Sequence, residues 1–327
     1  MNVLVVGGAG YVGSHAVRLL TRAGYPVWVY DNCQRGHRAA VPAELLIEGD
    51  LLDHQKLVDV LRDKSIDAVM HFAAFALVGE SVSDPAGYYQ NNVVGTLTLL
   101  NAMRTTNVRR MVFSSTCATY GIPQSVPISE EHVQMPVNPY GFTKLCIEQA
   151  LQDYAHAYDL GFVALRYFNA AGASPDGDLG EDHTPESHLI PLLLQTALGQ
   201  RKHVTIFGQD YPTADGTCIR DYIHVDDLGT AHIKALEQVA PGVQLKLNLG
   251  TGRGTSVSSA IETSELVTGR KIPTVIGDRR AGDPPELVAD SRRAQRQLDW
   301  EPQYLDFKQI VETAWHWHRT HPHGYAT

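Results

Sequence analysis

The chain is expected to form an α/β protein, a doubly wound parallel sheet followed by a smaller C-terminal α+β lobe. Three observations predict it. Short apolar, β-branched runs alternate with longer amphipathic stretches through the first half. A glycine-rich turn follows the first of those runs directly. After Asn169 the pattern loosens, and residues 170–187 are rich in glycine, proline and acidic side chains. We therefore expect one unit over residues 1–169 and a second over 170–327, with segments of the second returning to the sheet.

In order along the chain, strands are expected over residues 3–6, 27–30, 45–48, 68–72, 111–114 and 162–167. Runs such as Val3-Leu4-Val5-Val6 are apolar without alternation, as parallel strands covered on both faces require. Helices are expected over 11–23, 55–62, 88–104 and 140–158, between those strands. Pro139 stands just ahead of the last, a position where its missing N–H costs nothing. The second half offers a helix over 189–198, short strands and a stretch around Pro284-Pro285.

At 327 residues the chain can bury a sizeable core, and 43% hydrophobic with 19% charged residues is a globular composition. Lys and Arg number 27 against 36 Asp and Glu, a net charge of −9. That excludes a general nucleic-acid or anionic-membrane binder, so any anionic ligand must be met by local donors. No apolar run reaches the roughly 18 residues of a membrane span. The N-terminus lacks a basic segment, so no signal peptide is expected and the cytoplasm is the expected location. Cys33, Cys117, Cys146 and Cys218 are widely spaced and read as reduced thiols. His316, His318, His321 and His323 have no cysteine or acidic companion near the C-terminus, and no metal site is expected.

The turn is Gly7-Gly8-Ala9-Gly10-Tyr11-Val12-Gly13, set between a strand and a helix. Its glycines permit a tight turn and let the backbone approach a pyrophosphate, which the helix N-terminus attracts. A Rossmann-type site is the expectation. Asp31 follows Gly13 by 18 residues. A carboxylate there accepts both adenosine-ribose hydroxyls and repels a 2′-phosphate, which favours NAD, although Arg35 is close in sequence. Asp50, after the third strand, is placed either to reach an adenine amino group or to close a turn.

Ser114-Ser115-Thr116 ends the fifth strand, and Tyr140 and Lys144 share one face of a helix at i and i+4. A phenol titrates near pH 10, so a base at neutral pH needs nearby positive charge. Lys144 and a cationic nicotinamide would supply it, and the Thr116 hydroxyl could bond the same substrate oxygen.

Gly7–Gly13 with Tyr140 and Lys144 resembles the extended short-chain dehydrogenase/reductase superfamily. Asp31-Asn32, Gly49-Asp50, His71-Phe72-Ala73, Val78-Gly79-Glu80-Ser81, Tyr88-Tyr89-Gln90-Asn91-Asn92-Val93 and Leu165-Arg166-Tyr167-Phe168-Asn169 narrow the resemblance to the UDP-galactose 4-epimerase family. Gly177–Asp182, Asp215–Val225 and the Trp315-His316-Trp317-His318 ending are similar to that family too. The resemblance covers nearly the whole chain. It implies catalysis by Thr116, Tyr140 and Lys144. It implies NAD held by Gly7, Gly10, Tyr11, Val12, Gly13, Asp31, Asn32, Asp50, Leu51, Phe72, Ala73, Ala74, Asn92, Ser114, Tyr140, Lys144 and Phe168. It implies a UDP-sugar held by Thr116, Tyr140, Asn169, His188, Leu189, Thr205, Phe207, Arg220, Tyr222, Arg280 and Asp283. The reaction implied is oxidation of a UDP-hexose at C4′, turning of the 4-ketohexose and reduction from its other face. A homodimer built on the helices 88–104 and 140–158 is also implied.

Related dehydratases carry Asp-Glu after the catalytic Thr, where this chain has Cys117-Ala118, so water elimination is disfavoured. Two positions depart from the best-known epimerases. Ala76 replaces a lysine that aids cofactor retention, and Leu287, intermediate in size, stands at the gate toward the sugar 2-position. Two alternatives stay open: a 4-epimerase of another UDP-sugar (N-acetylated or uronate), and a catalytically silent dinucleotide sensor. Such sensors usually lack one of the Tyr/Lys pair, which this chain keeps.

Overall fold

The structure is a computed structural model that describes residues 1–280 and 282–325. The first half runs β1 (Val3–Val6), α1 (Tyr11–Arg22), β2 (Val27–Asp31), β3 (Leu46–Glu48), α2 (His54–Asp63), β4 (Ala68–His71), α3 (Val78–Ser83), α4 (Pro85–Tyr88), α5 (Gly95–Thr106), β5 (Arg110–Thr116), α6 (Pro139–Tyr158) and β6 (Gly161–Tyr167). The second half runs β7 (Asn169–Ala171), α7 (Leu189–Ala197), β8 (Val204–Phe207), β9 (Ile219–His224), α8 (Val225–Gln238), β10 (Gln244–Leu249), β11 (Gly254–Ser256), α9 (Val257–Thr268), β12 (Thr274–Gly277), β13 (Glu286–Leu287), α10 (Arg292–Leu298) and α11 (Phe307–Thr320).

Seven strands form one parallel sheet in the order β10-β6-β5-β4-β1-β2-β3. Consecutive residues of a strand face opposite sides, so β1 feeds two cores. Val3 and Val5 pack with Leu20, Leu228, Leu236 and Trp300, whereas Leu4 and Val6 pack with Leu57, Leu61, Leu99 and Leu151. Each such fully buried leucine is worth about 1.5–3 kcal/mol relative to exposure. This explains why the strands read as unbroken apolar runs. The seventh strand, β10, comes from the second half, as does α8, which packs on α1.

Strand order reverses between β1, which precedes β2, and β4. The carboxyl ends of strands at such a reversal open a crevice, the usual ligand position in open α/β sheets. Beyond it lie a four-stranded arrangement around β9, the β8–β12 pair, and helices α7, α9 and α11.

Two expectations need correction. Residues 88–104 are not one regular α-helix, because a π-turn, Tyr89–Val94, joins α4 to α5. Such a turn has no hydrophobic period of its own and leaves no trace in a 3.6-residue pattern. The second half holds four further helices, α8 to α11, beyond the one expected, and β7 forms against β9 at the start of the irregular stretch. Glycines and polar residues inside short elements mask their periodicity.

Candidate active site

A cleft of about 1390 Å³ runs from the glycine turn, past the end of β5, to the loops around β8, β9 and β13. It exceeds the 300–1,000 Å³ usual for one small ligand and has room for two.

At one end the wall is largely backbone. Gly7 has φ +82°, and a Cβ there would lie 2.3 Å from Ala73 N. Only glycine lets the turn lie against the segment leaving β4. No side chain caps α1 at Gly10, and its first turn carries no acidic residue, so the helix N-terminus is free to meet an anion. Asp31 lines the cleft and accepts Ala9 N at 2.9 Å and Cys33 N at 2.8 Å. Burial raises its pKa, while those two N–H groups pull it back down. The donor set and the glycine approach fit a dinucleotide. Arg35 is occupied, its guanidinium paired with Glu80 and lying over the Phe75 ring. Asp50, exposed between Gly49 and Leu51, accepts Leu52 N at 2.9 Å and Asn32 Nδ2 at 3.0 Å. Its neighbours Gly49 and Leu51 are on the wall.

At the centre stand Thr116 and Tyr140, both on the wall. Asn138 caps α6 by accepting Gly141 N at 2.9 Å, and Pro139 occupies the first turn. A Cβ on Gly141 would meet Ala118 O at 2.4 Å. That close approach seats the start of α6 against the turn after Thr116 and brings the phenol to the hydroxyl. Beneath, the buried Glu148 of α6 accepts Ser115 Oγ at 2.6 Å and Arg166 Nε at 2.9 Å, which ties α6 to β5 and β6. Arg166 also donates to Tyr120 Oη, and Tyr120 donates to Asn248 on β10. Burial raises the Tyr140 pKa well above its usual value, Tyr167 adds to this, and the Thr116 hydroxyl opposes it.

Lys144 sits below the cleft surface. Its Nζ donates to Ser114 O at 2.8 Å and lies 4.8 Å above the Phe113 ring. Burial lowers its pKa to about 7, with Glu148 pulling upward. Ser114 Oγ is bonded to Tyr167 Oη at 2.6 Å. Asn92, on the π-turn, accepts Phe75 N at 2.8 Å and donates to Phe75 O at 3.0 Å and Thr143 Oγ1 at 3.1 Å. Asn92, Ser114 and Lys144 are buried just beneath the cleft surface, and Asp50 is exposed beside Leu51 at its rim. Each also makes a contact that holds a turn or joins two elements. The other expected cofactor positions line the cleft, namely Gly7, Gly10, Tyr11, Val12, Gly13, Asp31, Asn32, Leu51, Phe72, Ala73, Ala74, Tyr140 and Phe168.

The far end is built from side chains. Asn169, His188, Leu189, Thr205, Phe207, Arg220, Tyr222, Arg280 and Asp283 all line it. Arg220 is 12% exposed and pairs with Asp283, and Arg280 lies 4.0 Å over the Phe207 ring. Leu287 packs on a cluster of Cys117, Tyr120, Ile128, Phe168 and Ala289. Sequence reasoning missed Arg201 and His203, two further basic residues on this wall, and also Glu181, His183 and Glu186. His188 Nδ1 lies 2.5 Å from Glu181 Oε1. Burial would lower the His188 pKa, but Glu181 and Glu186 hold it up to about 9. The alternation of Glu and His over 181–188 was the signal available.

Comparison with known proteins agrees with this geometry. The NAD dependent epimerase/dehydratase family matches residues 3–250. The UDP-glucose 4-epimerase of Halalkalibacterium halodurans is 54% identical over 328 residues, spanning 100% of this chain and 98% of that one. The crystal structure of UDP-glucose 4-epimerase from Brucella ovis in complex with NAD superposes with a TM-score of 0.93 at 52% identity, covering 97% and 98% of the two chains. That of the Stenotrophomonas maltophila enzyme, with bound NAD and formylated UDP-arabinopyranose, gives 0.94 at 39% identity, covering 98% and 99%. The chain belongs to the NAD-dependent epimerase/dehydratase family and, within it, to the UDP-glucose 4-epimerases. No helix among the described residues is long and apolar enough to cross a membrane.

Proposed function

We propose that this chain interconverts UDP-glucose and UDP-galactose at C4′ of the hexose, with NAD seated on the glycine turn. One observation carries the reading: a single cleft joins that turn and Asp31 to Thr116 and Tyr140, and these to Arg220 and Arg280. Bound NAD supplies the hydride acceptor and, as the oxidised cation, a positive charge that favours a phenolate. Tyr140 takes the proton of the 4′-hydroxyl and later returns it, while Thr116 bonds the same oxygen. Lys144, which burial brings to a pKa of about 7, lies below and holds the end of β5 through Ser114 O. Arg220 and Arg280 grip the diphosphate. With the diphosphate gripped, the 4-ketohexose turns about its bond to it before the hydride returns to the other face. Elimination of water is not supported, because burial pushes the Cys117 thiol up to about 12 and Ala118 carries no acid. Residues 1–169 then carry mainly the dinucleotide and 170–327 mainly the UDP-sugar, with α8 and β10 returning to the first unit.

Tyr89, Val94, Phe142 and Tyr158 are exposed on the π-turn and α6, which supports a homodimer joined through these helices. Purified protein given UDP-galactose should yield UDP-glucose in an assay coupled to UDP-glucose oxidation. Absence of any conversion of UDP-galactose, UDP-N-acetylgalactosamine or UDP-glucuronate sinks the enzymatic reading. Conversion of the second or third alone reassigns the substrate.

A further inference from the structure

Glu181, His183, Glu186 and His188 converge at the wall of the cleft, and their ligand atoms all lie within 4.8 Å of one another. The C-terminal histidines do not join them. His183 Nδ1 lies 3.2 Å from Glu181 Oε1 and 3.8 Å from Glu186 Oε2, and His188 Nδ1 lies 3.6 Å from Glu186 Oε1. A tetrahedral ion with bonds of about 2.1 Å has ligand–ligand edges of roughly 3.4 Å. The His183 Nδ1 distances to Glu181 Oε1 and Glu186 Oε2 bracket that size, while His188 Nδ1 meets Glu186 through its other oxygen, so the carboxylate must turn or the ring draw in. The fourth distance, between His188 Nδ1 and Glu181 Oε1, is a hydrogen bond of 2.5 Å and must open as an ion displaces its proton.

A second observation points the same way. His183 Nδ1 is buried and has no hydrogen-bond partner, despite its nearness to two carboxylates. A ring nitrogen turned toward a carboxylate pair, with no well-aligned hydrogen bond to either, is placed as a ligand would be. Glu186 Oε1 is already held by Ser187 N at 2.7 Å and His188 N at 2.9 Å, which orients that carboxylate and leaves Oε2 toward His183.

We propose that these four residues form a closed site for one divalent cation of the zinc class. Two imidazoles with two carboxylates favour zinc or cobalt over magnesium or calcium, which prefer all-oxygen shells. Four protein ligands leave no open position, so the ion is structural. It ties residues 181–188 into a clip just before α7 and beside Tyr11, whose ring meets that of His183 edge-on at 6.2 Å. With Nδ1 on the ion, His188 keeps only Nε2, as an N–H donor, on the wall of the substrate end. The clip thus fixes the seam between the two ends of the cleft.

The test uses untagged full-length protein, stripped with a chelator and then titrated with zinc. Elemental analysis should find one zinc per chain, and the thermal midpoint should rise by several degrees. His183→Ala with Glu186→Gln should cut bound zinc at least tenfold and abolish the thermal rise, whereas His316→Ala with His321→Ala should keep both. Unchanged zinc content in the first variant, or no zinc retained by the wild type, overturns the site. Should the first variant not fold, cobalt-loaded wild type decides. An intense tetrahedral visible band supports the site, and its absence overturns it. Neither readout depends on turnover.

Discussion

The two ends of the cleft are built from different materials. The dinucleotide end presents glycine backbone, an uncapped helix N-terminus and one carboxylate held by Ala9 N and Cys33 N. The far end presents arginine, histidine and carboxylate side chains from segments more than 100 residues apart in sequence, such as residue 169 and residue 280. A backbone-built site tolerates change in most side chains but none in a few glycines. A side-chain-built site can be retuned residue by residue. The chemistry sits where they meet, at Thr116 and Tyr140.

The largest expected effect tests that meeting point. Tyr140→Phe should lower kcat by about 10³-fold while calorimetric UDP affinity stays within a few-fold. A near-normal kcat removes Tyr140 from its role as base.

Gly7→Ala should hit the backbone-built end alone. Its φ of +82° and the 2.3 Å clash with Ala73 N cost roughly 1–3 kcal/mol or more. NAD affinity, read by fluorescence titration, should fall at least tenfold with UDP affinity held. An equal loss of both affinities would mean the two ends are not separable.

Arg220→Lys is the mirror experiment. Losing a forked donor that pairs with Asp283 should raise KM for the UDP-sugar about tenfold and leave NAD affinity unchanged.

The last effect, on stability and not on turnover or affinity, concerns Lys144 beneath both ends. Its folded pKa, near 7, is depressed below the unfolded value of about 10.4. Between these limits the unfolded chain binds more protons, so this group makes stability rise with pH, by up to about 1.4 kcal/mol per unit. The rise is complete above the unfolded value. Lys144→Met should flatten the dependence of urea unfolding on pH over that window. Identical slopes for variant and wild type would show that the lysine stays charged when buried.

Much of the molecule was readable from local pattern. The strands β1, β2, β4, β5 and β6 and the helices α1 and α6 announce themselves, because burial on both faces of a parallel sheet demands continuous apolar runs. The glycine turn and Asp31 were legible for the same reason: their function is local geometry. The placement of Asn92 was not, since a π-turn aims it inward to clasp Phe75 and no period in the sequence marks that turn. Nor was the depth of Lys144, whose i,i+4 spacing to Tyr140 is plain in the sequence but whose ammonium is buried and donates to Ser114 O. Spacing says which residues share a helix face but not how deep the partner strand lies.

The amino-acid sequence by itself determined the sheet, the dinucleotide turn and the residue types at the catalytic centre, because these depend on neighbours within a few positions. Only the tertiary structure decided that β10 closes the sheet from the second half and that Arg220 faces Asp283. It alone decided that Glu181, His183, Glu186 and His188 turn their ligand atoms toward one point. Such contacts depend on long loop closures, whose entropy the whole packed core offsets, and no short window of sequence contains that information.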